Sequence, residues 1–292
     1  MDAVLSIRPL QRRHIALVTA WARAEGFTPG RGDVAIYRHT DRQGLWLGWL
    51  DRQPVGCIAG VRYNAAYGFL GLFLVRPDQR RRGYGVALWQ HALEHLDDLD
   101  CIGLEAAPER AQDYAGWGFE PATPTTRWQL ISGGQDSTPP AAAGSPRLLQ
   151  GRAIPTAAVQ AYDAQREPSP RPHFLADWLR HPAGTVLALV DADGECRGFG
   201  RIRPCLLRRG EGWRIGPLLA ASPALAARLL AGLIQRHAGV VLIDAPGANP
   251  SAAPLLQELG FRPLSRTLRM YRGRPPSVPL DDVYGLACLE LG

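Results

Sequence analysis

The chain has 292 residues, 46% of them hydrophobic and 21% charged, with 32 glycines, 25 prolines and a formal net charge of +6. This balance supports a real core and excludes a disordered or collagen-like chain, and the glycines and prolines fall at turns with no heptad or solenoid period. All 33 basic residues are arginine, a bias that points to genome composition rather than to nucleic acid, although a mild positive field suits an anionic ligand.

In chain order, residues 4–8 are predicted as a strand and 12–25 as a helix, with Ile15, Val18, Trp21 and Ala22 at helical spacing. A loop rich in glycine and proline follows (Gly26, Pro29, Gly30, Gly32). Residues 45–50 and 54–62 form a hairpin about Asp51-Arg52-Gln53, and 69–75 is a third strand. A helix over 83–96, a strand over 102–106, a short helix over 109–117 stopped by Gly118, and a strand over 125–131 complete the front half. Residues 132–150 (SGGQDSTPPAAAGSPRLLQ) have linker composition.

The back half repeats this order. Helices are expected at 157–165 and 173–179, strands at 185–190, 197–203 and 213–219, a strongly apolar helix at 224–237, then strand 240–244, helix 252–259 and strand 267–271. Both halves end a helix with Gly-Phe, at Gly118-Phe119 and Gly260-Phe261. The expectation is two copies of one α/β unit, 1–131 and 151–292, joined by 132–150. The five cysteines are scattered and form no C-x-x-C pair, as expected of buried thiols in a reducing compartment. Residues 1–8 are too short and polar for a signal peptide, and the longest apolar stretches, such as 68–75, are too short to span a bilayer. A cytoplasmic protein with no membrane partner is expected.

The segment that carries chemistry is LFLVRPDQRRRGYGVALW, residues 72–89. An apolar strand ends at Val75, Pro77 forces a stop, and a loop with three arginines and two glycines opens a helix. The first amides of a helix have no intrahelical partner, and the helix dipole favours negative charge there. Gly83 and Gly85 remove side chains where a phosphate must approach the backbone, and Arg80, Arg81 and Arg82 add positive charge. The nucleotide pattern G-x-x-x-x-G-K-[ST] is excluded by the lack of lysine. The dinucleotide pattern G-x-G-x-x-G fails at Leu88.

What fits is R/Q-x-x-G-x-G/A, here Arg80 to Gly85 behind Val75-x-Pro77. On these residues the chain resembles the GNAT family of acetyl-CoA-dependent N-acetyltransferases. The resemblance implies an α/β fold of tandem units, each a mixed, mostly antiparallel sheet flanked by helices. It implies that Arg80, Arg81, Arg82, Gly83, Tyr84, Gly85 and Val86 hold the coenzyme pyrophosphate, and that Leu74 and Val75 pair with its pantetheine arm. The family's Y-x-x-x-G-F pattern matches Tyr114-Ala115-Gly116-Trp117-Gly118-Phe119. This implies Tyr114 as the acid that protonates the departing thiolate. The asparagine often found seven residues earlier is Ala107 here.

Glu25-Gly26-Phe27, Thr267 to Tyr271, Val283-Tyr284-Gly285 and Leu289 to Gly292 extend the similarity to the two-domain YitH-like subgroup. There the second unit is diverged, and 220–223 here (AASP) lacks the coenzyme motif. That unit is expected to wall off the acceptor site. The implied acceptor is a small-molecule primary amine between the units, the implied assembly a monomer or homodimer. Glu25, Asp33, Glu105 and Asp163 are the candidate bases. The alternatives are an acyl-CoA sensor without turnover and an enzyme acylating protein N-termini or lysines. His91-Ala92-Leu93-Glu94-His95 matches the zinc signature H-x-x-E-H, but it lies on the helix opened by the glycine loop, and no metal is expected.

Overall fold

The computed structural model describes residues 4–134, 144–166, 170–275 and 277–292. The front half runs β1 (Leu5–Pro9), α1 (Ile15–Ala24), α2 (Asp33–Thr40), β2 (Leu45–Leu50), β3 (Gln53–Arg62), β4 (Tyr67–Val75), α3 (Tyr84–Leu96), β5 (Cys101–Ala106), α4 (Ala111–Ala115) and β6 (Glu120–Gly133). The back half runs β7 (Arg147–Gln150), α5 (Thr156–Ala164), α6 (Pro172–Arg180), β8 (Thr185–Val190), β9 (Cys196–Leu206) and β10 (Glu211–Ala220), then α7 (Pro223–Ile234), β11 (Ala238–Pro246), α8 (Ala252–Glu258), β12 (Arg262–Gly273) and β13 (Val283–Gly285).

Every element expected from the sequence is present, and three were not expected. Helix α2 directly follows the glycine-rich loop, opened by Gly32 in the left-handed region at φ 91°. Strand β7 lies inside the stretch taken as linker, of which residues 135–143 fall outside the described residues. With four residues it is too short to show alternation, and the three-residue β13 shows still less.

All the strands belong to one sheet, in the order β1-β2-β3-β4-β5-β12-β6-β11-β10-β9-β8-β7, with β13 beside β10. Among the described residues only β4–β5 and β10–β11 pair in parallel. The two halves exchange their last long strands. β12 of the back half lies between β5 and β6, and β6 of the front half lies between β12 and β11. Each Gly-Phe corner, with Gly118 at φ 83° and Gly260 at φ 83°, launches one of these strands across the seam.

Strand alternation sends apolar side chains to both faces. One face carries α3 over the front half, where Leu88, Ala92, Leu93 and Leu96 recur at helical spacing against Trp46, Ile58, Leu70 and Leu104. It carries α7 and α8 over the back half, where Leu229, Leu230 and Leu233 pack on Leu187, Ile202 and Ile215. Burying one such leucine stabilises by about 1.5–3 kcal/mol. The other face carries α1, α2, α5, α6 and the tail after β13. There Phe174 and Trp178 of α6 join the front-half cluster of Val34, Tyr37, Leu72 and Leu74.

Candidate active site

Strands β4 and β5 pair only from Tyr67↔Cys101 to Leu70↔Leu104 and then part. On its other edge β4 is bulged against β3 between Leu74 and Gly71, where Leu72 adopts φ 47°. A bulge bends a strand and leaves backbone groups outside the ladder. The result is a cleft whose wall is the Gly71–Val75 stretch and whose mouth is the loop before α3.

At the mouth, Arg81 (φ 62°) and Gly83 (φ 82°) are both left-handed, a conformation that carries turns and anion-binding nests. The first backbone bond of α3 runs from the Ala87 amide to the Gly83 carbonyl at 3.1 Å. The amides of Tyr84, Gly85 and Val86 therefore stand at the open end of the helix dipole. No heavy atom lies within 4 Å of the place a Cβ would take on Gly83, whereas one on Gly85 would touch Phe73 and Val75 at 3.4 and 3.5 Å. Space is free on the loop side and filled on the strand side, as a cradle for a phosphate requires. Arg80 folds back, its Nε donating to the Val75 carbonyl at 2.9 Å and its Nη2 to Glu25 at 2.5 Å. Arg81 and Arg82 are exposed, and among the described residues they form no ion pair. Leu74 is buried in the cluster under α1, Val75 is half-buried, and Val86 is exposed in the first turn of α3.

Tyr114 is half-buried on α4, its ring 5.0 Å from that of Trp89, which also contacts Phe73 on β4. Burial raises its hydroxyl above the ordinary value of 10.0, with Arg110 opposing. The group stays protonated through the neutral range, the state an acid must be in.

None of the four candidate bases is an unengaged carboxylate. Glu25 holds Arg80. Asp33 is fully buried against Arg203, with Nη2 to Oδ2 at 2.9 Å. Asp163 pairs with Arg171 through two bonds of 3.1 and 3.0 Å. Glu105 sits on β5 just past the parting of the strands and accepts from Thr125, Thr267 and Arg269 at 3.1, 2.7 and 2.8 Å. His91 and His95 pack edge-on against Trp46, and His95 also meets Asp41 at 3.3 Å. Among the described residues no group of three potential metal ligands occurs.

Sequence reasoning missed a buried polar stripe on the α1/α6 face. Arg203 and Arg214 lie opposite each other on β9 and β10. Arg214 binds Asp244 at 2.9 Å and Glu290 at 3.4 Å, and Arg127 of β6 binds Asp244 at 2.6 and 2.9 Å. The signal was present: arginines inside apolar strands, as in Gly200-Arg201-Ile202-Arg203, imply buried partners.

In the back half, β10 and β11 pair in parallel only from Trp213↔Val241 to Ile215↔Ile243. The same parting of strands is therefore present twice. Here β13 fills it, pairing with β10 at Leu219↔Val283 and Leu218↔Gly285, and the Leu286 amide then donates to the Asp244 carbonyl at 2.8 Å. No coenzyme arm fits where the chain's own strand already lies.

Comparison with known proteins agrees with this doubled geometry. The model described as acetyltransferase (GNAT) family matches residues 15–119, and that described as acetyltransferase (GNAT) domain matches 159–285. The chain is similar to a holothin acyltransferase from Pseudoalteromonas sp. (strain SANK 73390), 30% identical over 98% of this chain and 94% of the relative. It belongs to the GNAT family. As a GNAT protein it is an acyltransferase enzyme built from two GNAT domains. The fold is shared with a Pyrococcus horikoshii protein classed among acetyltransferases, at TM-score 0.80, 24% identity and 99% and 96% coverage of this and that chain. It is shared also with a tandem GNAT protein of the clavulanic acid biosynthesis pathway, at TM-score 0.67, 18% identity and 94% and 100% coverage. GNAT enzymes generally use acetyl-CoA and act on amines of small molecules or proteins. No helix among the described residues is long and apolar enough to cross a membrane.

Proposed function

We propose that this enzyme transfers an acetyl group from acetyl-CoA to the primary amine of a small molecule, using the unit 1–131 for coenzyme and chemistry and the unit 151–292, beyond the 132–150 connection, to close the acceptor side. The observation that carries this reading is the parting of β4 from β5 directly beside an unobstructed helix N-terminus at Gly83. The residues fit the coenzyme. The amides of Tyr84, Gly85 and Val86 and the side chains of Arg81 and Arg82 take the pyrophosphate, Arg80 holds the loop to Val75, and Leu74 and Val75 offer strand edge to the pantetheine amides. Bound there, acetyl-CoA supplies an activated acyl thioester with a thiol as leaving group.

The chain's residues handle the proton and the geometry. The hydroxyl of Tyr114 donates its proton to the departing sulfur, and its contact with Trp89 fixes its rotamer. The fully engaged Glu105 positions Arg269 and two threonines, so the amine proton leaves to solvent rather than through Glu105. A relative named for acylation of holothin supports the acyl-transfer part of this reading.

Calorimetric titration of acetyl-CoA tests it. One site is expected in the wild type, with binding lost in the Gly83→Glu, Gly85→Glu double variant, whose carboxylates would occupy the phosphate position. A wild type that takes up no acetyl-CoA would overturn the proposal.

A further inference from the structure

Two buried polar atoms at the foot of the cleft find no hydrogen-bond partner among the described residues, the Tyr67 hydroxyl and Nη2 of Arg269. Both residues are 5% exposed. Leaving such donors unpaired is costly, and native proteins leave few of them. The two lie around one spot. Tyr67 Oη is 2.6 Å, and the Phe69 ring 2.9 Å, from the place a Cβ would take on Gly103. The Arg269 guanidinium sits 5.0 Å from the centre of the Phe69 ring and 6.0 Å from that of Tyr271. Phe69 pairs with Gly103 one step before the strands part, and Glu105, one step after, holds Arg269 by its Nε. The spot therefore lies beneath the reacting end of the cleft, on the α1/α6 face, opposite the α3 face that carries Tyr114.

We infer that this spot receives a carbonyl-type oxygen of the acceptor, so that the acceptor class is an amine also bearing a carboxamide or carboxylate. Resting on the acyltransferase reading above, the inference names what holds the amine in place. The Arg269 Nη2 group and the Tyr67 hydroxyl donate to one oxygen. Glu105 already balances the charge of Arg269, so an uncharged carboxamide satisfies both donors. A carboxylate satisfies them with charge assistance.

The test is a matched trio titrated by calorimetry into the enzyme saturated with coenzyme A: phenethylamine, L-phenylalaninamide and L-phenylalanine. These share one amine and one ring and differ only in the added oxygen group. Expected is about tenfold tighter binding of the carboxamide or the carboxylate than of phenethylamine, the tighter of the two identifying the source of the oxygen. The ratio should shrink to about twofold or less in Tyr67→Phe and in Arg269→Gln. Tyr67→Phe removes an unpartnered hydroxyl, so it should fold normally even if Arg269→Gln, which orphans Glu105, does not. Equal affinities across the trio, no binding of any member, or a ratio unchanged in Tyr67→Phe would overturn the inference. Titration of acetyl-CoA into the same preparation separates this failure from failure of the coenzyme site.

Discussion

The role proposed for Tyr114 is tested by removing one atom. Tyr114→Phe keeps the ring that packs on Trp89 and removes only the hydroxyl oxygen with its proton. Steady-state kinetics should show kcat reduced about 100-fold with the KM for acetyl-CoA nearly unchanged. Because burial raises the hydroxyl above 10.0, the wild type should hold its acid form up to that pH and lose kcat only above it. A kcat that survives Tyr114→Phe would remove the tyrosine from the chemistry. Asp244 carries a stability prediction. Burial would push its carboxyl up, but Arg127 and Arg214 hold it down at about 2. With a folded value below the ordinary 3.8, its contribution is complete above about pH 4 and is lost as pH falls toward 2, on the order of 2 kcal/mol. Urea unfolding followed from pH 5 to 2 should show this slope, flattened in Asp244→Asn. At this scale the loop proposed for the coenzyme stands out in the sequence because glycine and arginine spacing is local. Tyr67 and Arg269 were not, since 202 positions of chain separate them and only the strand exchange brings them together.

Helices and strands with a long apolar period announced themselves, and the short ones did not. Helix α3 shows its buried stripe in the sequence, whereas α2, eight residues long behind a glycine-rich loop, is held by tertiary contacts, Tyr37 stacking on Trp178 and Asp33 bound to Arg203. Buried carboxylates such as Asp33 read as candidate bases because pairing across 170 residues leaves no local trace. The tail after β13 is the element whose role a single glycine exposes. A Cβ on Gly71 would run into the Glu290 carbonyl, with the Glu290 Cα 3.0 Å away. This is backbone, which moves less readily than a side chain. Gly71→Ala should therefore displace the tail from β4 and cost about 1–3 kcal/mol in urea unfolding. No change in the unfolding midpoint would mean that the tail yields freely.

Across the whole molecule, the exchanged strands join the halves into one sheet without an interior edge. Unfolding should be a single transition, with tryptophan fluorescence and far-UV circular dichroism coincident in urea. Two separated transitions would show that the halves hold together independently of β6 and β12. A chain cut at 134 should not fold as a monomer, since β5 would lose its partner β12 and β6 would lose both neighbours. The two-unit plan was legible from the repeated element order, but the exchange was not, because pairing between strands of different halves leaves no local trace in the residues of β6 or β12. The exchange also sets a timetable for synthesis. Strand β5 leaves the ribosome about 150 residues before the strand that completes it, a wait of roughly eight to thirty seconds at ordinary elongation rates. Throughout that interval the nascent front half presents an open edge, so a translation pause or a chaperone acting between the two strands should govern the yield of active enzyme more than the stability of the finished fold does.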